Sequence, residues 1–473
     1  MKFCVLTLGC KVNQYEGQAI ENILIARGHI RAQAGGGCHA CIINTCAVTA
    51  ESVRKSRQAV RRMKTLEPGA LIAVCGCFSQ LEPSAIEQIG ADLIGGSGDR
   101  QAFALEIEQL VNSESGIWNS EFSPYFYGTG AYEELHNSEF QIPNSEFEDL
   151  PPGGVSERTR ALLKIQDGCD NFCAYCVIPY ARGRARSLPP ERAAAHAALL
   201  EAQGFREIVI TGIEISSYGK DLIVFQGDGS LVFSQEDKRT VPLSPAPLID
   251  VIQKISIAAP KTRLRLGSLD PGTVTEGFCR EMSMISNLCP HFHLSLQSGC
   301  DETLRRMGRK YGARDVLETI AALRRMFPDC GITADLITGF PGETDAEFAQ
   351  TLEFIKTAVY SGMHIFPFSP RPGTRAADMP GQIKKSIRLE RAKIASAVAA
   401  DMAQAFKISQ VGKTVEVLFE RERGGYRLGH SGNYLEVAVK TGGAKNSLHT
   451  VRITGVNESG MVFGSLVSRE PYP

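Results

Sequence analysis

Cys169-Asp170-Asn171-Phe172-Cys173-Ala174-Tyr175-Cys176 sets three thiols on one loop, four and three residues apart, directly after the strand-like run Ala161–Ile165. A structural zinc site takes four protein ligands and usually shows paired C-x2-C halves. Three thiolates on one loop suit three irons of a [4Fe–4S] cluster instead, and leave the fourth iron open to a substrate or cofactor.

Outward from this loop, between about residues 160 and 400, strand-like runs alternate with helical patterns: Ala161–Ile165, Glu207–Thr211, Arg263–Gly267, His293–Leu296, Gly331–Ile337 and Gly362–Pro367. The alternation predicts a full or partial β/α barrel with its active site at the C-terminal ends of the strands, where the cysteine loop begins. An insertion at 221–247, with hairpin-like alternation around Gly227-Asp228-Gly229, interrupts the barrel after its second strand.

Upstream, Met1 to about Leu110 alternates short apolar runs with helical patterns, which predicts a small parallel sheet covered by helices on both faces. Cys10, Cys46 and Cys77 each stand just past one of its strands, so they should converge on the edge where open α/β sheets bind ligands. A second cluster with a free iron is the expectation there. Between the two halves, Asn-Ser-Glu-Phe recurs at 119–122, 137–140 and 144–147, which predicts a mobile low-complexity linker over 112–155. From Val411 onward, five short strand candidates with Gly-rich turns predict a small all-β barrel: Thr414–Phe419, Tyr426–Leu428, Tyr434–Val439, Thr450–Ile453 and Met461–Leu466. The expected fold class is therefore α/β, with domains at 1–111, 156–405 and 411–473 around the linker.

Composition narrows the function. The 473 residues carry 51 Lys and Arg against 52 Asp and Glu, a net charge of -1, so a nucleic-acid partner must be held by local basic patches. The apolar run at Met1–Cys10 is short for a secretory signal, and no stretch approaches the roughly 18–20 apolar residues of a spanning helix, so a cytoplasmic location is expected. In that reducing setting 14 cysteines point to metal or redox chemistry. Cys38, Cys41 and Cys75 could compete as ligands but read better as packing thiols, and Cys4, Cys279, Cys289, Cys300 and Cys330 read as structural.

The C-x3-C-x2-C loop resembles that of the radical S-adenosylmethionine (SAM) superfamily. The resemblance implies that Cys169, Cys173 and Cys176 hold a cluster whose open iron takes SAM and releases a 5′-deoxyadenosyl radical. Further SAM contacts are then expected from Gly212 and Glu214 after the second strand, from Ser268, and from Asp335, Gly339 and Gly342, where the glycines would let backbone approach a flat ligand. With the second triad, the chain resembles the methylthiotransferase family, whose architecture is an α/β domain, a radical SAM barrel and a TRAM domain. Thr7–Glu16 and Ile213–Asp221 are most similar to the branch that modifies N6-threonylcarbamoyladenosine at position 37 of tRNA.

What the resemblance implies is a methylthio group added at C2 of that base, with two [4Fe–4S] clusters and SAM as cofactors and no separate protein nucleophile. The partners are the tRNA anticodon loop, a reductant protein and a sulfur donor, with no membrane and no DNA. An isopentenyl adenosine or ribosomal-protein target, or a non-catalytic iron–sulfur RNA-binding protein, are the competing readings. Basic groups at Arg54, Lys55, Arg57, Arg61, Arg62 and Lys64, and at Arg182, Arg184 and Arg186, are expected to meet phosphates. In the last barrel, Tyr426, Arg427, His430, Asn433 and Tyr434 are expected on adjacent strands, where they could stack and pair with RNA.

Overall fold

The apolar runs of the first hundred residues become strands β1 (Lys2–Thr7), β2 (Ile30–Arg31), β3 (Ala40–Thr45), β4 (Leu71–Gly76) and β5 (Leu93–Gly95) in a computed structural model. The structure describes residues 1–113, 125–127, 146–153, 158–225, 231–233, 246–440 and 442–467. With β6 (Tyr125–Tyr127) these strands form one parallel sheet in the order β2-β1-β3-β4-β5-β6. Helices α1 (Lys11–Ala26), α2 (Ala50–Leu66), α3 (Cys77–Leu81), α4 (Pro83–Glu87) and α5 (Arg100–Asn112) connect them. Every residue of β3 and β4 is buried, as expected of central parallel strands covered on both faces.

Strand β6 falls within the segment 112–155 expected to be a mobile low-complexity linker. Its apolar Tyr125-Phe126-Tyr127 run finds the open edge of β5 and extends the sheet. The linker's far end is also built in: Leu150 is buried, and its carbonyl accepts the Tyr15 hydroxyl at 2.7 Å. The repeats at 119–122 and 137–140 lie outside the described residues.

In the central region β7 (Ala161–Lys164), β8 (Gln166–Asp167), α6 (Ile178–Arg182), β9 (Arg186–Ser187), α7 (Pro190–Ala202) and β10 (Glu207–Thr211) come first. The hairpin β11 (Ile223–Phe225) and β12 (Leu231–Phe233) follows, antiparallel as expected, with the turn at 227–229 outside the described residues. Then come α8 (Pro247–Ala258), β13 (Arg263–Leu266), β14 (Ser268–Leu269), α9 (Glu276–Ser283), β15 (His291–Gln297), α10 (Asp301–Met307), α11 (Ala313–Met326), β16 (Gly331–Thr338), α12 (Asp345–Ala358) and β17 (Gly362–Pro367). Their parallel sheets, β13-β10-β7 and β14-β15-β16-β17, meet at the break before Ser268. No pairing joins β17 to β7 among the described residues, so the barrel is partial.

Past α13 (Arg375–Asp378) and α14 (Lys385–Ser409), strands β18 (Thr414–Arg423), β19 (Tyr426–Ser431), β20 (Glu436–Val439), β21 (Leu448–Val456) and β22 (Val462–Leu466) close a small barrel. Its β19–β20 turn docks on the N-terminal end of β13. Arg263 donates to the His430 carbonyl, and Arg265 to the Ser431 and Gly432 carbonyls. Both guanidiniums also bind the buried carboxylate of Glu207.

Candidate functional site

Each residue of the first triad follows a strand of the N-terminal sheet. Cys10 caps α1 after β1, Cys46 lies between β3 and α2, and Cys77 opens α3 after β4. A helix N-terminus favours negative charge, so Cys10 and Cys77 stand where thiolates are stabilised. The loops are drawn together by Asn13, whose amide donates to the carbonyls of Leu8 and Thr45, each at 2.9 Å. Gly9 is required for this approach: its φ is +98°, and a Cβ there would lie 2.9 Å from the Cys46 sulfur. Burial raises all three thiol pKa values, and the pairs Cys10/Cys46, Cys46/Cys77 and Cys77/Cys10 are each close enough for one charge to act on the other.

The second triad sits on the loop from β8 to α6, above the barrel. Burial pushes Cys169 and Cys176 up to about 12, and Cys176 feels both of its partners. Phe340 packs edge-on against Tyr175, so the Asp335–Thr344 segment braces this loop. Cys77 of the first triad and Cys169 and Cys176 of the second meet in one apolar cluster, in which Cys77, Val177, Ile178 and Ala181 are buried and Cys169 and Cys176 pack against them.

Each triad carries one arginine aimed at a sulfur. Arg182 Nε donates to Cys77 Sγ at 3.3 Å, and Arg309 Nη1 donates to Cys173 Sγ at 3.3 Å. Arg182 is fully buried and also binds Glu16 at 2.8 Å, Asp167 at 3.0 Å and the Asn13 side-chain oxygen at 2.6 Å. Lys164 and Arg100 join at Glu16, and Arg186 at Asp167, giving four cations to two carboxylates. That excess of positive charge beside the sulfurs fits an anionic, thiolate-ligated cluster. Among the described residues no three Cys, His, Asp or Glu side chains are gathered tightly enough for a single metal ion. A four-iron cluster takes one thiolate per iron and so spreads its ligands more widely.

This network corrects the sequence reading of the second basic patch. Arg182 and Arg186 are buried in ion pairs and cannot meet phosphate; Arg184 remains exposed, beside Asp170. The signal that could have revealed this was charge balance, since Glu16 and Asp167 lie in the same motifs as the cysteines.

Beside Cys173, a cavity of about 250 Å³ is lined by Asn171, Glu214, Ser216, Asp270 and Arg309. Burial, helped by Asp270, raises the Glu214 carboxyl to about 7. Gly212 packs against Gln166, whose side-chain oxygen accepts the Glu214 backbone N–H at 2.9 Å. Ser268 lies in β14, in register with His293. Asp335 faces the barrel interior and pairs with His293 at 3.2 Å. At Gly339 the space a Cβ would need holds Arg388, and Gly342 donates to the Gly381 carbonyl. At both glycines φ is positive, and at Gly339 close packing against Arg388 adds a second reason for the residue type.

The other cysteines lie elsewhere. Cys4 and Cys41 pair across β1 and β3, with sulfurs 3.4 Å apart, toward the strands' N-terminal ends, and Cys75 faces a separate core. In the last barrel, Asn433 donates to the Asp329 carbonyl and is buried. Tyr434 leaves the expected strand: with φ +69° it turns toward the central barrel and stacks on His291 and His430, 4.6 and 4.9 Å away.

A model of the Radical SAM superfamily matches residues 163–355, and Uncharacterized protein family UPF0004 matches residues 2–96. The chain is 35% identical over 460 residues to Threonylcarbamoyladenosine tRNA methylthiotransferase MtaB of Thermotoga maritima, covering 96% of this chain and 95% of that one. It is 32% identical to the Bacillus subtilis protein of the same name, covering 92% and 89%. A tRNA-2-methylthio-N(6)-dimethylallyladenosine synthase of Symbiobacterium thermophilum is 30% identical over 88% of this chain and 83% of its own. Among solved structures, the radical SAM methyltransferase TsrM from Kitasatospora setae, with cobalamin and a [4Fe–4S] cluster bound, shares the fold: TM-score 0.52, 14% identity, 80% of this chain and 77% of that one.

Fold and cysteine loop together define a radical SAM enzyme that uses an iron–sulfur cluster and SAM. Within that class the chain belongs to the methylthiotransferase family, with the MtaB proteins.

Proposed function

We propose that this enzyme is a tRNA methylthiotransferase that adds a methylthio group to C2 of N6-threonylcarbamoyladenosine at position 37. The observation that carries the reading is the pair of thiol triads, each with an arginine on one sulfur, which meet through Cys77, Cys169 and Cys176 in one apolar cluster. Cys169, Cys173 and Cys176 would hold one [4Fe–4S] cluster, and Cys10, Cys46 and Cys77 the other. Bound there with SAM, these groups supply a carbon radical able to attack an unreactive C–H bond and a site for the sulfur to be transferred.

The chain's own residues position and insulate. Glu214, raised to about 7 when nothing pairs with it, would ionise beside the SAM ammonium and hold it. Arg309 and Arg182 offset thiolate charge, and the apolar cluster around Cys77, Cys169 and Cys176 lowers the local polarity beside those three sulfurs. Exposed Lys55, Arg61, Arg62 and Arg184 supply phosphate contacts around the cleft. A reductant protein and a sulfur donor complete the proposal, and the work takes place in the cytoplasm, where tRNA is found.

The test is anaerobic purification and reconstitution, with iron counted in the wild type and in a Cys169→Ala/Cys173→Ala/Cys176→Ala variant. About eight irons per chain should fall to about four. Nucleosides from tRNA treated with reductant and SAM should gain the methylthio mass only on threonylcarbamoyl adenosine. Four irons in both proteins would refute the second cluster, and the mass on isopentenyl adenosine would refute the substrate.

A further inference from the structure

Phe366 belongs to a strand of the central sheet, yet it is 46% exposed. Its neighbours Met363 and Ile365 pack outward, against the cluster that holds Phe348 of α12 and Ala395 of α14. Successive side chains of a strand point to opposite faces, so His364 and Phe366 turn to the barrel interior. The contact between the rings of His364 on β17 and His293 on β15, 5.8 Å apart, fixes the same direction.

The interior of a β/α barrel is ordinarily filled by side chains from all its walls. Here the filling is one-sided. Tyr15 and Ala19 of α1 pack on Leu162 of β7 and Val209 of β10, the face opposite the one that Leu163, Ile208 and Ile210 turn to the outer helices. On the other wall the inward residues stay open: His293, Ser295, Asp335 and Ile337 are half-buried, and His364 and Phe366 are exposed. The Phe366 ring makes no aromatic or cationic contact among the described residues.

The position of that ring is defined at both ends. Phe366 is paired in register with Ile337, which packs into the apolar cluster that holds Ala174 and Tyr175 of the cysteine loop. Three residues further on, the Ser369 hydroxyl accepts the Ala50 N–H at 3.1 Å, at the start of the helix that follows Cys46. The end of β17 therefore runs from one thiol triad to the other, and Phe366 offers a bare aromatic face on the way. The cavity beside Cys173 and Glu214 is lined by other residues, so this face is separate from it.

We propose that Phe366 is the platform on which the target adenine stacks between the two triads. The assignment rests on the tRNA reading above. An unpaired loop base splayed out of its RNA is held most often by its π face on an aromatic side chain. A phenyl ring has no hydrogen-bonding group, so it would leave every edge of the base free, including the C2 edge that receives sulfur.

The experiment is a binding cycle on the reconstituted holoenzyme: wild type, Phe366→Ala, Phe366→Leu and Phe366→Tyr, each with an anticodon stem-loop carrying threonylcarbamoyl adenosine at position 37 or an abasic site there. Kd is measured for both stem-loops and for SAM, with iron content alongside. Phe366→Ala should weaken the base-bearing stem-loop roughly 5- to 150-fold, the worth of one stacked base, and leave the abasic one unchanged. Phe366→Leu, which fills the space without a π face, should fall with alanine, while Phe366→Tyr keeps most of the affinity. Equal losses on the two stem-loops, no loss on either, a loss confined to SAM, or loss of iron in all three variants would overturn the assignment while leaving the substrate reading intact. A wild type that puts a methylthio group on no tRNA nucleoside would overturn both.

Discussion

Replacing Arg182 with Met should cost the protein about 3–5 kcal/mol, the usual penalty for breaking a buried ion pair and leaving its partners behind. Arg182 is fully buried and satisfies Glu16 from the N-terminal domain and Asp167 from the barrel with one guanidinium. Methionine fills much of the volume, so the loss is electrostatic and not a cavity effect. Lys164, Arg100 and Arg186 remain, but none of them spans both carboxylates and a sulfur as Arg182 does. For a domain of this size the thermal midpoint should fall on the order of 10 °C. Under the two-cluster proposal, iron held by Cys10, Cys46 and Cys77 should also become labile, because the donor on Cys77 and the compensating charge leave together. Arg182→Lys should restore stability in part without restoring the Cys77 hydrogen bond, since a compact ammonium lacks the reach of the guanidinium fork that spans Glu16, Asp167 and the Cys77 sulfur. Circular dichroism melts and iron counts after desalting check this; an unchanged midpoint with full iron in Arg182→Met would show that the network is incidental.

That residue also marks where the sequence stopped being legible. The cysteine spacing, the strand-to-loop position of each thiol and the alternation of elements are local properties, and they were enough to read the three-part α/β architecture and to set Cys10, Cys46 and Cys77 each just past a strand. The partners of Arg182 lie 166 and 15 residues away, so a run of arginines beside a cysteine loop reads as a surface patch until the fold closes it. The same holds for Tyr434. Alternation placed it on a strand, whereas Arg265, Arg160, His291 and His430 gather around its ring only in the assembled protein. Gly339 meets the same limit: Arg388, which fills the space beside it, comes from a helix in a different part of the chain. Within the linker, three apolar residues sufficed for β6 because β5 offered an unpaired edge, and edge availability is not written in the segment itself.

Acid should open the same joint. Burial alone would raise the Glu16 pKa, but Arg182, Lys164 and Arg100 outweigh it and hold the carboxyl at about 2. Glu207 is likewise held at about 2, by Arg265 and Arg263 against burial, and it anchors the arginines that grip the C-terminal barrel. A carboxylate depressed in the folded state binds fewer protons there than when unfolded, so its stabilisation is complete above the unfolded value of about 4.5 and disappears as pH falls toward 2. Asp167 is shifted in the same direction by Arg182, Lys164 and Arg186 against its burial, and its contribution is lost at still lower pH. With about 1.4 kcal/mol per unit, Glu16 and Glu207 should each contribute roughly 3 kcal/mol at neutral pH. Thermal midpoints followed by circular dichroism should therefore be nearly level from pH 7 to 5.5 and fall steeply from pH 4.5 to 3. Glu207→Gln should begin lower and descend less steeply, because one of the protons taken up on unfolding is gone. A midpoint that stays level to pH 3 in the wild type would mean that these carboxylates are not ionised partners of the arginines, and the electrostatic account of how the three domains are joined would fail with it.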